Sequence, residues 1–384
     1  MVNTTKTIRP TIYIEAGALC RKQRTGVAYW TEGLIRGLIE RMPGTDFVLF
    51  HFSQPESDLR ITGPNVRETV ITKLSGKLFR LLYIIGCAPK LESLLGVSEI
   101  ETIIFPDFYA WPLVSKSARV ITFVPDTTFL DVPQFISPIY FRQLLRYGVK
   151  YSARVSDQMV VCSEFTRQSI HHHYGRKLSS TYVVYPGYEI PKNSTGSKEV
   201  YIPRKHILFI GTLDGRKNIA NLIRGYMTLT ANVRKEFPLV LAGGMGRTDA
   251  EITELITRHE RDGVRAIGYV SESDRERLYR TASIFAYPVV YEGFGMPVIE
   301  AQAHGVPVLS TNNSSLPEAT GGIAVYCDVS PQSIGEHLSD ILKNPKERAR
   351  LAVEGKRHAA SFTWERGQEL LYDIITQKNP SSPE

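Results

Sequence analysis

Apolar residues occur along this 384-residue chain in two alternating rhythms. Short runs rich in β-branched and aromatic side chains predict strands at Thr11–Glu15, Phe47–Phe52, Thr102–Phe105, Val120–Val124, Met159–Cys162 and Thr181–Tyr185. Between them apolar positions recur at helical spacing. Val27, Trp30, Leu34, Leu38 and Ile39 form one stripe over 27–41, and Phe135–Ser156 and the segment after Ser163 also read as helices. The polar, turn-rich stretch Lys192–Glu199 interrupts the pattern as a linker. The pattern restarts with strands at His206–Ile210, Leu239–Ala242, Val264–Val270, Ser283–Val290 and Val306–Ser310. Helices follow from Ile219, through Leu278 and Tyr279, and over Pro331–Leu342, Lys346–Ser361 and 364–378, with 379–384 a frayed tail. Such alternation predicts an α/β protein with parallel sheets. The interruption predicts two α/β domains, 1–195 and 196–364.

Composition narrows the class. With 42% apolar and 22% charged residues the chain reads as globular, and no run nears the roughly 18 apolar residues of a membrane span. Lys6 and Arg9 are not followed by an apolar signal segment, and Cys20, Cys87, Cys162 and Cys327 are widely spaced. These features point to a cytoplasmic protein without a disulfide framework or a zinc site. The net charge of +7 suits an anionic membrane surface or a polyanionic substrate. No basic block or RNA-binding motif supports a nucleic-acid partner. Lys73–Gly86 sets Lys73, Lys77 and Arg80 among Leu74, Leu78, Phe79, Leu81, Leu82, Tyr83 and Ile84. As a helix it is either half-buried or a peripheral membrane contact at the inner face of the cytoplasmic membrane. His171-His172-His173 is not joined by a carboxylate or cysteine cluster, so no metal site is expected there.

The stretch 287–305, Tyr-Pro-Val-Val-Tyr-Glu-Gly-Phe-Gly-Met-Pro-Val-Ile-Glu-Ala-Gln-Ala-His-Gly, carries the densest candidate chemistry. A strand ends in a turn with two glycines, and Met296 and Pro297 open a short helix that Gly305 closes. Gly293, Phe294, Gly295 and Met296 thus line a helix start suited to an anion. Glu292 precedes the turn and Glu300 lies about one turn into the helix. Two carboxylates beside a phosphate-ready backbone can hold the hydroxyls of a ribose and of a sugar. The same features also fit a plain strand–turn–helix packed tightly through its glycines. No G-x-G-x-x-G triplet occurs, so a dinucleotide cofactor lacks its fingerprint. Arg216 and Lys217, in Gly211-Thr212-Leu213-Asp214-Gly215-Arg216-Lys217-Asn218, stand at another helix start and suit a diphosphate.

Glu-Gly-Phe-Gly-Met-Pro-Val-Ile-Glu-Ala resembles the E-x7-E signature of retaining GT-B glycosyltransferases, in the form of family 4, the glycosyl transferases group 1. Gly211…Arg216-Lys217-Asn218 and Ser314-Ser315-Leu316-Pro317-Glu318 resemble two further motifs of that family, in the same order. The likeness spans roughly 205–365. It is thinner over 1–195, where Arg24-Thr25-Gly26-Val27 resembles the first glycine loop but also fits any βα turn. The resemblance implies two Rossmann-like domains facing across a cleft, with the last helix crossing back to the first. It implies a nucleoside-diphosphate sugar as donor, a glycan or lipid-linked acceptor, and no cofactor or metal. Arg216, Lys217 and the backbone at Gly293–Gly295 would stabilise the leaving diphosphate. Gly26, Gly211 and Thr212 would border the donor, Glu300 would hold the ribose and Glu292 would face the sugar. Many relatives carry His-Asp at the strand end where this chain has Pro125-Asp126. Asp126 is therefore a candidate for sugar or acceptor binding, or only a cap. GDP-mannose is the first expectation for the donor, with UDP- and dTDP-sugars next. A sugar-nucleotide epimerase and a non-catalytic binding protein of the same shape are the rivals.

Overall fold

The computed structural model describes residues 9–20, 25–52, 59, 61–191, 202–246 and 250–376. The linker read at Lys192–Glu199, Arg24 of the first loop and the tail 379–384 lie outside the described residues. The chain forms two compact units, one of Met1–Gly187 with Trp364–Glu384 and one of Tyr188–Thr363.

The first unit holds a seven-stranded parallel sheet in the order β3-β2-β1-β4-β5-β6-β7. Its strands are β1 Thr11–Glu15, β2 Asp46–Phe52, β3 Val66–Ile71, β4 Thr102–Phe105, β5 Arg119–Val124, β6 Gln158–Val161 and β7 Thr181–Val183. The second unit holds a six-stranded parallel sheet in the order β10-β9-β8-β11-β12-β13. Its strands are β8 Ile207–Ile210, β9 Leu239–Ala242, β10 Val264–Gly268, β11 Ile284–Tyr287, β12 Val308–Thr311 and β13 Val325–Cys327. The central strands β9, β11 and β12 are buried throughout, as expected of a sheet covered on both faces. The strands absent from the sequence reading, β3 and β13, are edge strands. Arg67 and Glu68 of β3 are exposed and interrupt its apolar positions, whereas β13 is a three-residue strand within the short apolar run Ile323–Cys327 that the sequence reading passed over.

The last helix, Trp364–Thr376, packs on the helix Gly26–Arg41 within the first unit. Two glycines set that approach. A Cβ on Gly33 would enter the Trp364 ring, and one on Gly37 would enter the Gln368 side chain. Gln368 Nε2 donates to Gly33 O at 2.8 Å, and Arg41 Nη1 donates to Gln368 Oε1 at 2.9 Å. Arg119 donates to the carbonyls of Ile374 and Ile375, which satisfies the end of the same helix. Gly33→Leu should therefore cost about 1–3 kcal/mol by overpacking. Gly44→Ala, where an added Cβ meets nothing within 4 Å, should stay within about 0.5 kcal/mol. Urea midpoints of the two variants check this, and equal values would refute the glycine-set contact.

Candidate functional site

In the second unit, β8, β11 and β12 are neighbours and parallel. Their C-terminal loops therefore leave the sheet side by side, where open α/β sheets bind ligands. The loop after β8 is pinned first. Gly211 N donates to Ala242 O at 3.0 Å and Leu213 N to Gly244 O at 2.9 Å. Gly243, at φ +144°, lies so close to Gly211 O that a Cβ there would collide with backbone. Asp214 then caps a tight turn over Gly215–Lys217, its Oδ1 accepting from Lys217 N at 3.0 Å. Asn218 takes the left-handed conformation at φ 60°, and its Nδ2 donates to Pro288 O at 3.0 Å and to Val329 O at 2.9 Å. The turn presents Arg216 and Lys217 to the loop after β11.

That loop meets them at Glu292. Lys217 Nζ donates to Tyr287 Oη at 2.7 Å and to Glu292 Oε2. Arg216 Nη1 donates to Tyr291 O at 2.9 Å and lies 3.3 Å from Glu292 Oε2. Tyr287 Oη donates to the same oxygen at 3.3 Å. Val290 N returns a bond to Arg216 O at 3.0 Å. The Lys217 side chain is 7% exposed, that of Glu292 18% and that of Arg216 23%. Burial opposes the charge on Glu292, yet Lys217 and Arg216 hold its carboxyl below the usual range. Burial, helped by Arg216, draws the Lys217 ammonium down against the pull of Glu292. The loop after β12 secures the arrangement from the other side. Ser314 Oγ accepts from Glu292 N at 2.9 Å, and Ser315 Oγ donates to Glu292 O and Phe294 O, each at 2.9 Å.

Gly295, at φ +109°, turns the chain into the helix Met296–Ala303. A Cβ there would sit 3.1 Å from Leu316 Cδ2 and be strained besides. Glu300 lies on the buried side of this helix. Its Oε2 accepts from Tyr279 Oη at 2.9 Å and its Oε1 is 3.6 Å from Arg275 Nη1. Burial raises its pKa, with Arg275 and Tyr279 opposing. Arg275, Glu276 and Tyr279 come from the helix Glu272–Thr281, and a second buried contact joins the two helices. Glu276 accepts from Tyr188 Oη at 2.9 Å and lies 2.6 Å from His304 Nε2.

The structure thus brings Gly211, Arg216, Lys217, Glu292, Gly293, Gly295 and Met296 onto adjoining loops, with Glu300 behind them and Thr212 exposed at the rim. The Phe294 ring is buried 5.5 Å from that of Phe362, so this side chain is part of the core and is not open to a ligand. Gly26 and Asp126 belong to the other unit. A Cβ on Gly26 would meet nothing within 4 Å, so packing does not demand glycine there. Asp126 Oδ1 accepts from Thr128 N at 2.9 Å, a capping contact. His171 Nδ1 lies 2.9 Å from Arg176 O and His173 Nε2 2.9 Å from Asp131 Oδ1. Among the described residues no group of three or more His, Cys, Asp or Glu side chains is arranged to hold a metal. Sequence reasoning assigned no role to Tyr287, Tyr279, Arg275 or His304. For Tyr287 a signal existed, an aromatic hydroxyl at the end of the strand that leads into the glutamate turn.

Residues 195–358 match the family model described as Glycosyl transferases group 1. A relative from Escherichia coli is 32% identical over 283 residues, covering 68% of this chain and 70% of its own. The chain belongs to this family of glycosyltransferases. That relative is an O-antigen chain mannosyltransferase B. A serotype-specific mannosyltransferase WbdA of the same organism is 29% identical over 187 residues, 48% of this chain but 23% of that one. Among solved structures, sucrose-phosphate synthase from Thermosynechococcus elongatus superposes with a TM-score of 0.69 at 16% identity, over 96% of this chain and 99% of that one. WaaG, a glycosyltransferase involved in lipopolysaccharide biosynthesis, gives 0.67 at 14% identity, over 95% and 99%. At that identity the likeness shows the shared fold of two Rossmann-like domains, the GT-B architecture.

The environment of Glu300 makes a direct prediction. Because burial dominates, its carboxyl should titrate above the ordinary glutamate range in a carbon-13 NMR titration assigned with Glu300→Gln. Tyr279→Phe removes a donor to the charged form and should move the midpoint higher still. A midpoint unmoved by Tyr279→Phe would contradict the contact.

Proposed function

We propose that this protein transfers a hexose from a nucleoside-diphosphate sugar to a glycan or lipid-linked acceptor in the synthesis of a bacterial surface polysaccharide. The first choice of donor is GDP-mannose, and the anomeric configuration is retained. The observation that carries this reading is the convergence of Arg216 and Lys217 on one point at the strand ends, beside Glu292. The similarity to O-antigen chain mannosyltransferase B favours mannose and an O-antigen-like glycan.

The chemistry follows from charge. As the bond between the anomeric carbon and the diphosphate oxygen breaks, negative charge grows on the diphosphate and positive charge on the sugar. Fixed donors aimed at the first, in a site with little water, are the strongest lever available. Arg216 presents a planar fork and Lys217 a compact charge, and both are already oriented by Tyr291 O and Tyr287. On this reading the two side chains supply the neutralisation without a metal ion. Glu292 faces the sugar, and its carboxylate holds hydroxyls or offsets positive charge. Glu300, fixed by Tyr279 and Arg275, accepts from the ribose. The acceptor oxygen forms the new bond to the anomeric carbon on the face the diphosphate leaves, and its proton passes to the leaving phosphate.

In the first unit, the helix Gly76–Ile84 buries Phe79 and exposes Leu78 and Leu81, with Ile85 exposed just beyond it; Lys77 and Arg80 are exposed beside them. This basic, apolar face suits an anionic leaflet where a lipid-linked acceptor would be met. No described helix is long and apolar enough to cross a membrane. The proposal places the protein at the inner face of the cytoplasmic membrane, held peripherally.

In a thermal-shift comparison of GDP, UDP, dTDP and ADP, GDP should raise the melting temperature most. GDP-mannose with a lipid-linked glycan should yield GDP and an α-linked product by NMR. Lys217→Met should lower transfer by roughly 10²–10³-fold, the loss typical of a removed charge-stabilising group. A larger shift with UDP would replace the base, and the lack of any diphosphate release would end the transferase reading. Co-sedimentation with phosphatidylglycerol vesicles, but not with neutral phosphatidylcholine vesicles, is expected, and Leu81→Glu should weaken it several-fold. Equal binding to both vesicle types would remove the membrane proposal.

A further inference from the structure

The cationic site is already full. The single oxygen Oε2 of Glu292 receives Lys217 Nζ, Arg216 Nη1 at 3.3 Å and Tyr287 Oη at 3.3 Å. The main chain of Glu292 is bolted by Ser314 and Ser315, so its carboxylate can leave only by turning its own side-chain torsions. Tyr287 is fully buried, and its ring stacks 5.6 Å from that of Phe209 and 5.4 Å from that of Phe285. Among the described hydrogen-bond partners of the Lys217 ammonium, its hydroxyl is therefore the one fixed by core packing.

A diphosphate brings oxygens of the same sign as the carboxylate. Two such anions on the same ammonium would repel at contact distance in a dry site, where charges are screened least. A buried ammonium left with neither would be equally costly. On the reading that the donor is a nucleoside-diphosphate sugar, the geometry points to an exchange. We propose that the Glu292 carboxylate is the internal counter-ion of the diphosphate subsite before the donor binds. The ligand's phosphate displaces it from Arg216 and Lys217, and Tyr287 is the positioning residue that holds Lys217 in both states. The released carboxylate then turns toward the sugar side of the same loop. Donor arrival and placement of Glu292 become one event. Binding is also weaker than two uncompensated cations would give, because an internal anion must first be displaced.

The exchange predicts opposite signs for binding and for turnover. Calorimetry on the full chain, with whichever of GDP, UDP, dTDP or ADP binds the wild type most tightly, reads the first. Glu292→Gln removes the competitor and should bind that nucleotide about tenfold more tightly, the size of one well-placed charge interaction, while transfer slows. Glu292→Ser carries the same expectation, so a folding defect in one variant does not decide the matter. In the Lys217→Met background the gain from Glu292→Gln should shrink to what displacement from Arg216 alone contributes. Tyr287→Phe should raise KM for the donor several-fold with a smaller change in kcat, and Tyr287→Trp should not rescue it. A role in packing alone would leave the nucleotide affinity of Tyr287→Phe unchanged and would overturn its assignment. Weaker or equal nucleotide binding by Glu292→Gln and Glu292→Ser, against a wild type that binds, would overturn the exchange and leave the donor reading standing. No nucleotide binding by the wild type or any variant would remove both.

Discussion

Lys217 carries its ammonium where only 7% of the side chain meets solvent, and a lysine in such a place must be given an anion or lose its proton. Much of the second unit answers that constraint. Asp214 and Asn218 hold the turn that aims the side chain, Tyr287 gives it a fixed acceptor and Glu292 gives it a charge. Ser314 and Ser315 then hold the backbone of Glu292 from a third loop. The parallel order of β8, β11 and β12 brings three strand ends that are far apart in sequence to one edge of the sheet, and the contacts around this one cation tie their loops together.

The organisation of this site was legible where the chain encodes it locally. Glycines at strand ends, a basic pair at a helix start and two glutamates a fixed distance apart are contiguous patterns, and each marks a loop whose backbone geometry its own residues set. Gly211, Gly243 and Gly295 do occupy conformations or contacts that exclude a Cβ or strain it. Contacts that depend on which elements meet were not legible. Tyr279 and Arg275 reach Glu300 from another helix, and nothing in the run Glu272–Thr281 announces it. Phe294 stands between two glycines and reads as part of the anion loop, but packing turns its ring into the core. The edge strand β3 carries exposed charges, which hide it from any search for apolar runs.

The two units differ in how much chemistry they declare. In the second, ionisable side chains converge and are held by buried hydroxyls. In the first, the best-defined features are packing features: the aromatic cluster of Phe50, Phe52, Phe79 and Trp111, and the glycine face against Trp364 and Gln368. Asp126 is occupied in capping and Gly26 faces open space. The concentrated charge of Arg216, Lys217 and Glu292 is visible in the sequence, whereas the packing features of the first unit are not.

The return of Trp364–Thr376 to the first unit has a consequence for how the molecule is made. The second unit is one uninterrupted segment, whereas the first is assembled from two stretches separated by the whole of the other. On the ribosome, the later-encoded body can close before the earlier one is finished. Until the helix Trp364–Thr376 has been made, the face of Gly33 and Gly37 lacks the Trp364 and Gln368 side chains that cover it in the folded unit.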